Sequence, residues 1–150
     1  MTSHEELTKA LSSNEPDYAA ILSTVREEDL PDLAALAAAE DVLLASKAVY
    51  LAGMTGLGGA ASILTTAASS PHPELRVAAA HCCRHLPGPA VLSPLRALLA
   101  DGDAGVQFQA VASTALLDLR GLRDEMEQVA SDQAGNYVGD AATAVLEDWQ

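Results

Sequence analysis

Four alanines, Ala48, Ala79, Ala110 and Ala141, are spaced at an even 31 residues. Four residues ahead of each stands a larger apolar residue: Leu44, Leu75, Val106 and Tyr137. Eleven residues ahead of those stands a third set, Leu33, Leu64, Leu95 and Met126. A four-residue step keeps two side chains on one face of an α-helix, which turns once every ~3.6 residues. An apolar pattern recurring every ~20–50 residues marks a stacked repeat, in which each unit buries its apolar face only against its neighbours. Chains of this kind mostly bind other macromolecules across an extended face and seldom do chemistry in a closed pocket.

Each unit reads as two helices, A then B. Pro31 suits the opening turn of the first helix A, because proline lacks only a donor that the first turn leaves unused. Helix A is expected to reach about residue 39 with Leu33 and Leu36 buried, and Asp29 and Asp32 complement its positive end. The first helix B is expected over 42–52, with Gly53 as its stop. The second unit reads as helices over 60–69 and 74–86, the latter halted by Pro87-Gly88-Pro89. The third reads as 90–100 and a helix to about Leu119, the fourth as 122–131 and a helix to Trp149. Residues 1–29 hold two shorter amphipathic pieces, around 7–11 and 18–25, that match the repeat poorly, as terminal caps do. The expected organisation is an N-terminal helical cap over 1–29 and one continuous array over 30–150.

Composition narrows the reading. The chain is 49% hydrophobic but only 3% aromatic, so alanine and leucine must make the core, and both favour helix. Small alanines let helices approach to the short end of the ~8–10 Å range. No stretch alternates as a strand does. The net charge of −13 repels phosphate backbones, which argues against nucleic acid as a partner. Residues 1–41 and 101–150 each carry ten acids and two bases, whereas 42–100 has one acid and four bases, so the ends are acidic and the middle mildly basic. The N-terminal residues lack a basic segment followed by an apolar run, and the low-charge stretch over 49–68 is broken by glycine and threonine, so neither a signal peptide nor a membrane span is expected. Cys82 and Cys83 are adjacent, and a disulfide between them would be strained. A cytoplasmic location fits all of this.

The segments joining A to B read AEDVLLASKA, SPHPELRVAA, DGDAGVQFQA and DQAGNYVGDA. Through these turns and the period, residues 30–149 resemble the HEAT-like repeats, in particular the short bacterial form named after phycobilisome lyases. The likeness is clearest in Pro73-Glu74-Leu75-Arg76-Val77-Ala78-Ala79-Ala80. It implies an all-α fold: an α-α superhelix (solenoid) of about four 31-residue helical hairpins behind the N-terminal cap. It also implies that B helices line the concave surface, and that Arg76 reaches a carboxylate of a neighbouring unit, Asp101 or Asp103 on one side or Asp41 on the other. Ala45, Gln107 and Val138 hold the arginine position elsewhere, so a continuous Asp–Arg ladder is not expected.

On the B helices, the positions two, three, six and ten residues after the anchor fall away from the buried face. They bring together Lys47, Tyr50, His81, His85 and Phe108, with Arg84 nearby, and exposed aromatics and arginine are typical interface anchors. The plainer reading is that Tyr50 and Phe108 pack between neighbouring helices. His81 and His85, four apart, could both reach one ion, but zinc needs three or four ligands and no carboxylate adjoins them. Two partly exposed histidines beside two buried cysteines is the plainer account. HEAT-like metal hydroxylases carry paired His-Glu motifs on several repeats, whereas this chain has only His4-Glu5. The glycines of 53–59 lack the lysine and Ser/Thr of a phosphate loop and follow no strand, so they read as a flexible inter-unit connection.

The expectation is therefore a non-catalytic protein–protein interaction module, a small adaptor or scaffold and not an enzyme. It would grip a partner protein on its concave helix-B face through Lys47, Tyr50, His81, Arg84, His85 and Phe108. No cofactor, metal, nucleic acid or membrane is expected, and self-association through the ends of the array is a further possibility. An alternative is an acidic immunity- or antitoxin-like inhibitor of a basic partner, using the acids at 27–29 and 124–127. An enzyme subunit of lyase type is raised by the resemblance, but no catalytic set is visible.

Overall fold

The structure is a computed structural model and describes residues 4–150. Ten α-helices follow one another among these residues: α1 (His4–Leu11), α2 (Tyr18–Leu22), α3 (Leu30–Ala37), α4 (Val42–Met54), α5 (Ala60–Ala68), α6 (Pro73–Cys82), α7 (Gly88–Leu99), α8 (Ala104–Leu116), α9 (Arg123–Asp132) and α10 (Tyr137–Asp148). The last eight form four hairpins, each an A helix followed by a B helix, stacked as a solenoid. The B helices α4, α6, α8 and α10 pack along one side more closely than the A helices α3, α5, α7 and α9 do along the other. A row packed more closely on one side than the other curves towards the closer side. α1 rests on α3 and α4, and α2 rests on α4.

The repeat explains this packing. Leu33, Leu64, Leu95 and Met126 are all completely buried, one in each A helix. Burying a side chain of this size contributes about 1.5–3 kcal/mol. On the B side Ala48, Ala79 and Ala110 are also completely buried. They present only a methyl group to the adjacent hairpin, which is what permits the close approach. Three of the four B helices are capped by a side chain just before their first turn. Asp41 accepts from Leu43 and Leu44 N–H, Asp103 from Val106 N–H, and Asn136 from Val138 and Gly139 N–H. α6 instead begins on Pro73, with no side-chain cap at His72.

The fourth hairpin departs from the pattern. The first three A helices end 31 residues apart, at Ala37, Ala68 and Leu99, but the fourth ends at Asp132, 33 further on. The turn that follows contains Gly135 at φ +90°, a backbone state that L side chains rarely adopt. Val138 and Ala142 keep the burial of their counterparts Ala45 and Val49 in α4 and Gln107 and Val111 in α8, and among the described residues no hairpin follows α10 to cover its other side. Val138 and Ala142 are completely buried, whereas Tyr137, expected as the anchor, is 57% exposed and Ala141 only half-buried.

Two helix ends also differ from expectation. Gly53 does not stop α4; it lies inside the helix, buried against Cys82 of α6. A methyl group at Gly53 would overlap the Cys82 side chain, coming within 2.7 Å of its sulfur. Here glycine serves as a contact surface. α6 ends at Cys82, and Cys83–His85 form a 3₁₀ turn. Leu86 is extended at φ −114°, ψ 160° because it precedes Pro87, whose ring excludes the helical state there. Trp149 caps the last hairpin from within: it is buried, its carbonyl accepts from Arg123 Nη2 at 2.8 Å, and the guanidinium lies 5.9 Å from its ring centre. No described helix is long and apolar enough to cross a membrane.

The Gly53–Cys82 seam makes two predictions. Gly53→Ala should destabilise the fold by about 1–3 kcal/mol, as overpacking does. Gly58→Ala, at a position with nothing within 4 Å, should leave thermal unfolding nearly unchanged. Burial pushes both thiols up to about 12. Cys82 and Cys83 should therefore resist alkylation near neutral pH in the native protein and react once it is unfolded, as mass spectrometry of the labelled chain would read.

Candidate functional site

The solvent side of the B row is held in place by bonds between hairpins. Arg84, in the 3₁₀ turn after α6, donates from Nε to His81 O at 2.9 Å and to Ser113 Oγ at 3.3 Å, and from Nη2 to Gln109 Oε1 at 3.0 Å. Ser113 donates in turn to Ala80 O at 2.6 Å. α6 and α8 are thus joined by side chains as well as by packing. A guanidinium only donates, so the Gln109 atom it meets is the amide oxygen. His81 Nδ1 lies 3.2 Å from that same oxygen and donates to it.

Rings continue from this bridge. Tyr50 of α4 meets His81 edge-on with centroids 5.7 Å apart, and His81 meets His85 in the same manner at 5.9 Å. The Tyr50 phenol is pushed above its ordinary pKa, chiefly by burial. His85 is pulled below its ordinary value by burial first, then by His81 and Arg84, which disfavours its charged form. Farther along the row Phe108 of α8 packs on Tyr137 of α10 at 5.4 Å. Both rings remain open to solvent, at 36% and 57%.

The six residues singled out in the sequence fall into two groups. Tyr50, His81 and His85 form one continuous ring cluster, and Phe108 stands beyond it with an exposed edge. Lys47 and Arg84 are cations already engaged within the chain: Lys47 Nζ donates to Ser13 O at 2.7 Å, which ties the segment after α1 to α4, and Arg84 makes the bridge described above. Arg76 does what the family resemblance implied. It grips Asp101 of the next hairpin with Nε at 2.8 Å and Nη2 at 3.3 Å, and donates from Nη1 to Ser70 O at 3.0 Å. Gln107, one repeat later, substitutes a neutral link: it donates to Leu99 O at 3.0 Å and accepts from Gln133 Nε2 at 2.8 Å.

Sequence reasoning missed Tyr137, which its place in the repeat assigned to the core. The signal for it is its place in the last repeat, where no further hairpin follows among the described residues. It also missed a cleft on the A side. Between α3 and α5 a groove of about 640 Å³ is lined by Ala34, Ala37, Ala38, Ile63, Ala67 and Leu75. A smaller groove of about 240 Å³ lies at the corresponding place between α7 and α9. The run of alanines in α3 is the sequence signal, since methyl groups leave space between helices that do not close up. Among the described residues no three His, Cys, Asp or Glu side chains gather in a manner that would hold a metal ion.

Comparison with known proteins sets this geometry in a family. A family model of HEAT repeats matches residues 30–115. No curated protein sequence matches the chain. Among solved structures, a chain in the complex of CpcE and CpcF of phycocyanin lyase from Nostoc sp. PCC7120 superposes with a TM-score of 0.75 at 18% sequence identity, covering 95% of this chain and 97% of that one. At that identity the likeness is one of fold. It nonetheless corrects the expectation that the chain is not an enzyme: the same architecture, over nearly the whole length, stands in a lyase complex, so the lack of a recognisable catalytic set does not set this chain apart from enzymes. With residues 30–115, more than half of its length, matched, the chain belongs to the HEAT-repeat family.

Proposed function

We propose that the chain is a small adaptor or scaffold that binds a partner protein on the solvent side of its B helices. One observation carries this reading: rings from successive hairpins stand along the row in contact with one another, with His81 bonded to Gln109 of the next hairpin and the edges of Phe108 and Tyr137 open. Rings fixed before binding lose little conformational freedom on binding, which is what makes an anchor effective. Tyr50, His81, His85 and Phe108 are the proposed contacts. Lys47 and Arg84 support them by holding the neighbouring backbone. Residues 1–29 are proposed to cap the array at 30–150, since α1 and α2 cover the first hairpin. A cytoplasmic setting is part of the same reading.

A second reading has its own support. The fold likeness to a chain of a lyase complex that is itself an assembly of two proteins favours a subunit of an enzyme, pairing with a partner to complete a site. Both readings place a partner protein at the centre, and both are open to one experiment. The tagged chain is incubated with native host lysate alongside a Tyr50→Ala/His81→Ala/Phe108→Ala variant, at about 0.05 and 0.5 M salt. A stoichiometric partner lost by the variant at both salt levels is the expected result, with circular dichroism showing that the variant is folded. A partner retained by the folded variant would contradict the assignment of this face.

A further inference from the structure

The last two B helices differ chemically from the rest of the row. α8, AGVQFQAVASTAL, has no charged residue. Its outer stripe runs Phe108, Ala112 and Leu116 at four-residue steps, and Leu116 is 66% exposed. α10, YVGDAATAVLED, has three acids and no base. Asp140, Glu147 and Asp148 are all exposed, and among the described residues none of them forms an ion pair. Tyr137, on the first turn of α10, joins the two stripes by packing on Phe108.

Single exposed apolar side chains are ordinary on a protein surface. Phe108 and Leu116 on uncharged α8, joined by Tyr137 of α10 and flanked by the exposed carboxylates of α10, make an apolar anchor stripe with a charged rim. We infer that this face docks a basic amphipathic helix of the partner, with its apolar side chains on Phe108, Tyr137 and Leu116 and its lysines or arginines on Asp140, Glu147 and Asp148. The inference rests on the protein-binding reading of the B row and adds the chemistry of what binds there. The spacing agrees: eight residues separate Phe108 from Leu116, a rise of about 12 Å at ~1.5 Å per residue, close to the ~10.5 Å between anchors at i and i+7 on a docked helix. The charge agrees too. Ten acids against two bases over 101–150 create a field that draws a cationic segment to this end of the array.

The test is fluorescence anisotropy with a labelled leucine–lysine peptide of about 18 residues, whose leucines line one helical face. A scrambled peptide of the same composition, with leucines all round, is the control. The amphipathic peptide should bind saturably and about tenfold more tightly than the scrambled one. Phe108→Ser/Tyr137→Ser should weaken it about tenfold, and Asp140→Asn/Glu147→Gln/Asp148→Asn about fivefold. The charge-matched set Asp124→Asn/Glu127→Gln/Asp132→Asn on α9 should change it little. Equal binding of both peptides, or an equal loss from the α9 set, would reduce the effect to general charge attraction and overturn the inference. Sedimentation adds one more outcome: a wild-type dimer that the Phe108/Tyr137 variant converts to monomer would mean that a second copy occupies the face, and the inference fails. If the peptide does not bind while the Tyr50/His81/Phe108 variant still loses a partner from lysate, the basic-helix inference falls and the protein-binding reading stands.

Discussion

Everything else in this molecule depends on how closely the B helices approach one another. Ala48, Ala79 and Ala110 present one methyl group each to the next hairpin, and Gly53 presents none to Cys82. Larger residues at these points would force the row apart. The A row packs less closely, and grooves remain between α3 and α5 and between α7 and α9. Tight packing on one side and looser packing on the other is the geometric origin of a curved array. The curve in turn sets the solvent sides of α4, α6, α8 and α10 next to one another, so that side chains far apart in sequence become one surface.

Polar bonds refine what the packing begins. Arg76 and Asp101 join the second hairpin to the third as a bidentate charged pair, and Gln107 with Gln133 joins the third to the fourth without charge. The two links occupy corresponding places in the repeat, so one structural need is met by two chemistries. On the other side of the row, Arg84, Gln109 and Ser113 bind α6 to α8 and fix the His81 ring between them. The His81 ring, and through it Tyr50 and His85, is therefore positioned by the same contacts that stabilise the stack. This is why the candidate binding face and the fold cannot be separated into independent parts.

Much of the architecture was legible because a repeat states its core several times. Leu33, Leu64, Leu95 and Met126 keep their register through all four units, and their burial follows from spacing alone. What escaped is local and depends on partners that the sequence does not name. Tyr137 and Ala141 keep the 31-residue spacing yet are left partly open, because α10 is the last described helix and no further hairpin packs over that side, whereas Val138 and Ala142 stay buried like their counterparts in α4 and α8. Gly53 looked like a helix stop because glycine serves for both stopping a helix and admitting a neighbour, and only the position of Cys82 distinguishes them. Lys47 and Arg84 looked like free cations on a surface strip. Whether a cation is free depends on an acceptor elsewhere in the chain: the carbonyl of Ser13 for one, the amide of Gln109 for the other. Of the candidate face, the rings were legible from helical position, and their mutual contacts were not.

The account stands on the small-residue seam and on its ending at α10, the last described helix, and a leucine series tests both. Each of Ala48→Leu, Ala79→Leu, Ala110→Leu, Ala141→Leu and Ala142→Leu would be unfolded in denaturant and its stability compared with the native chain. The account predicts losses of about 1–3 kcal/mol or more at the three buried B-row alanines and at Ala142, and little change at half-buried Ala141. A large loss at Ala141 with Ala142 tolerant, or tolerance of leucine at Ala48, Ala79 and Ala110, would contradict it.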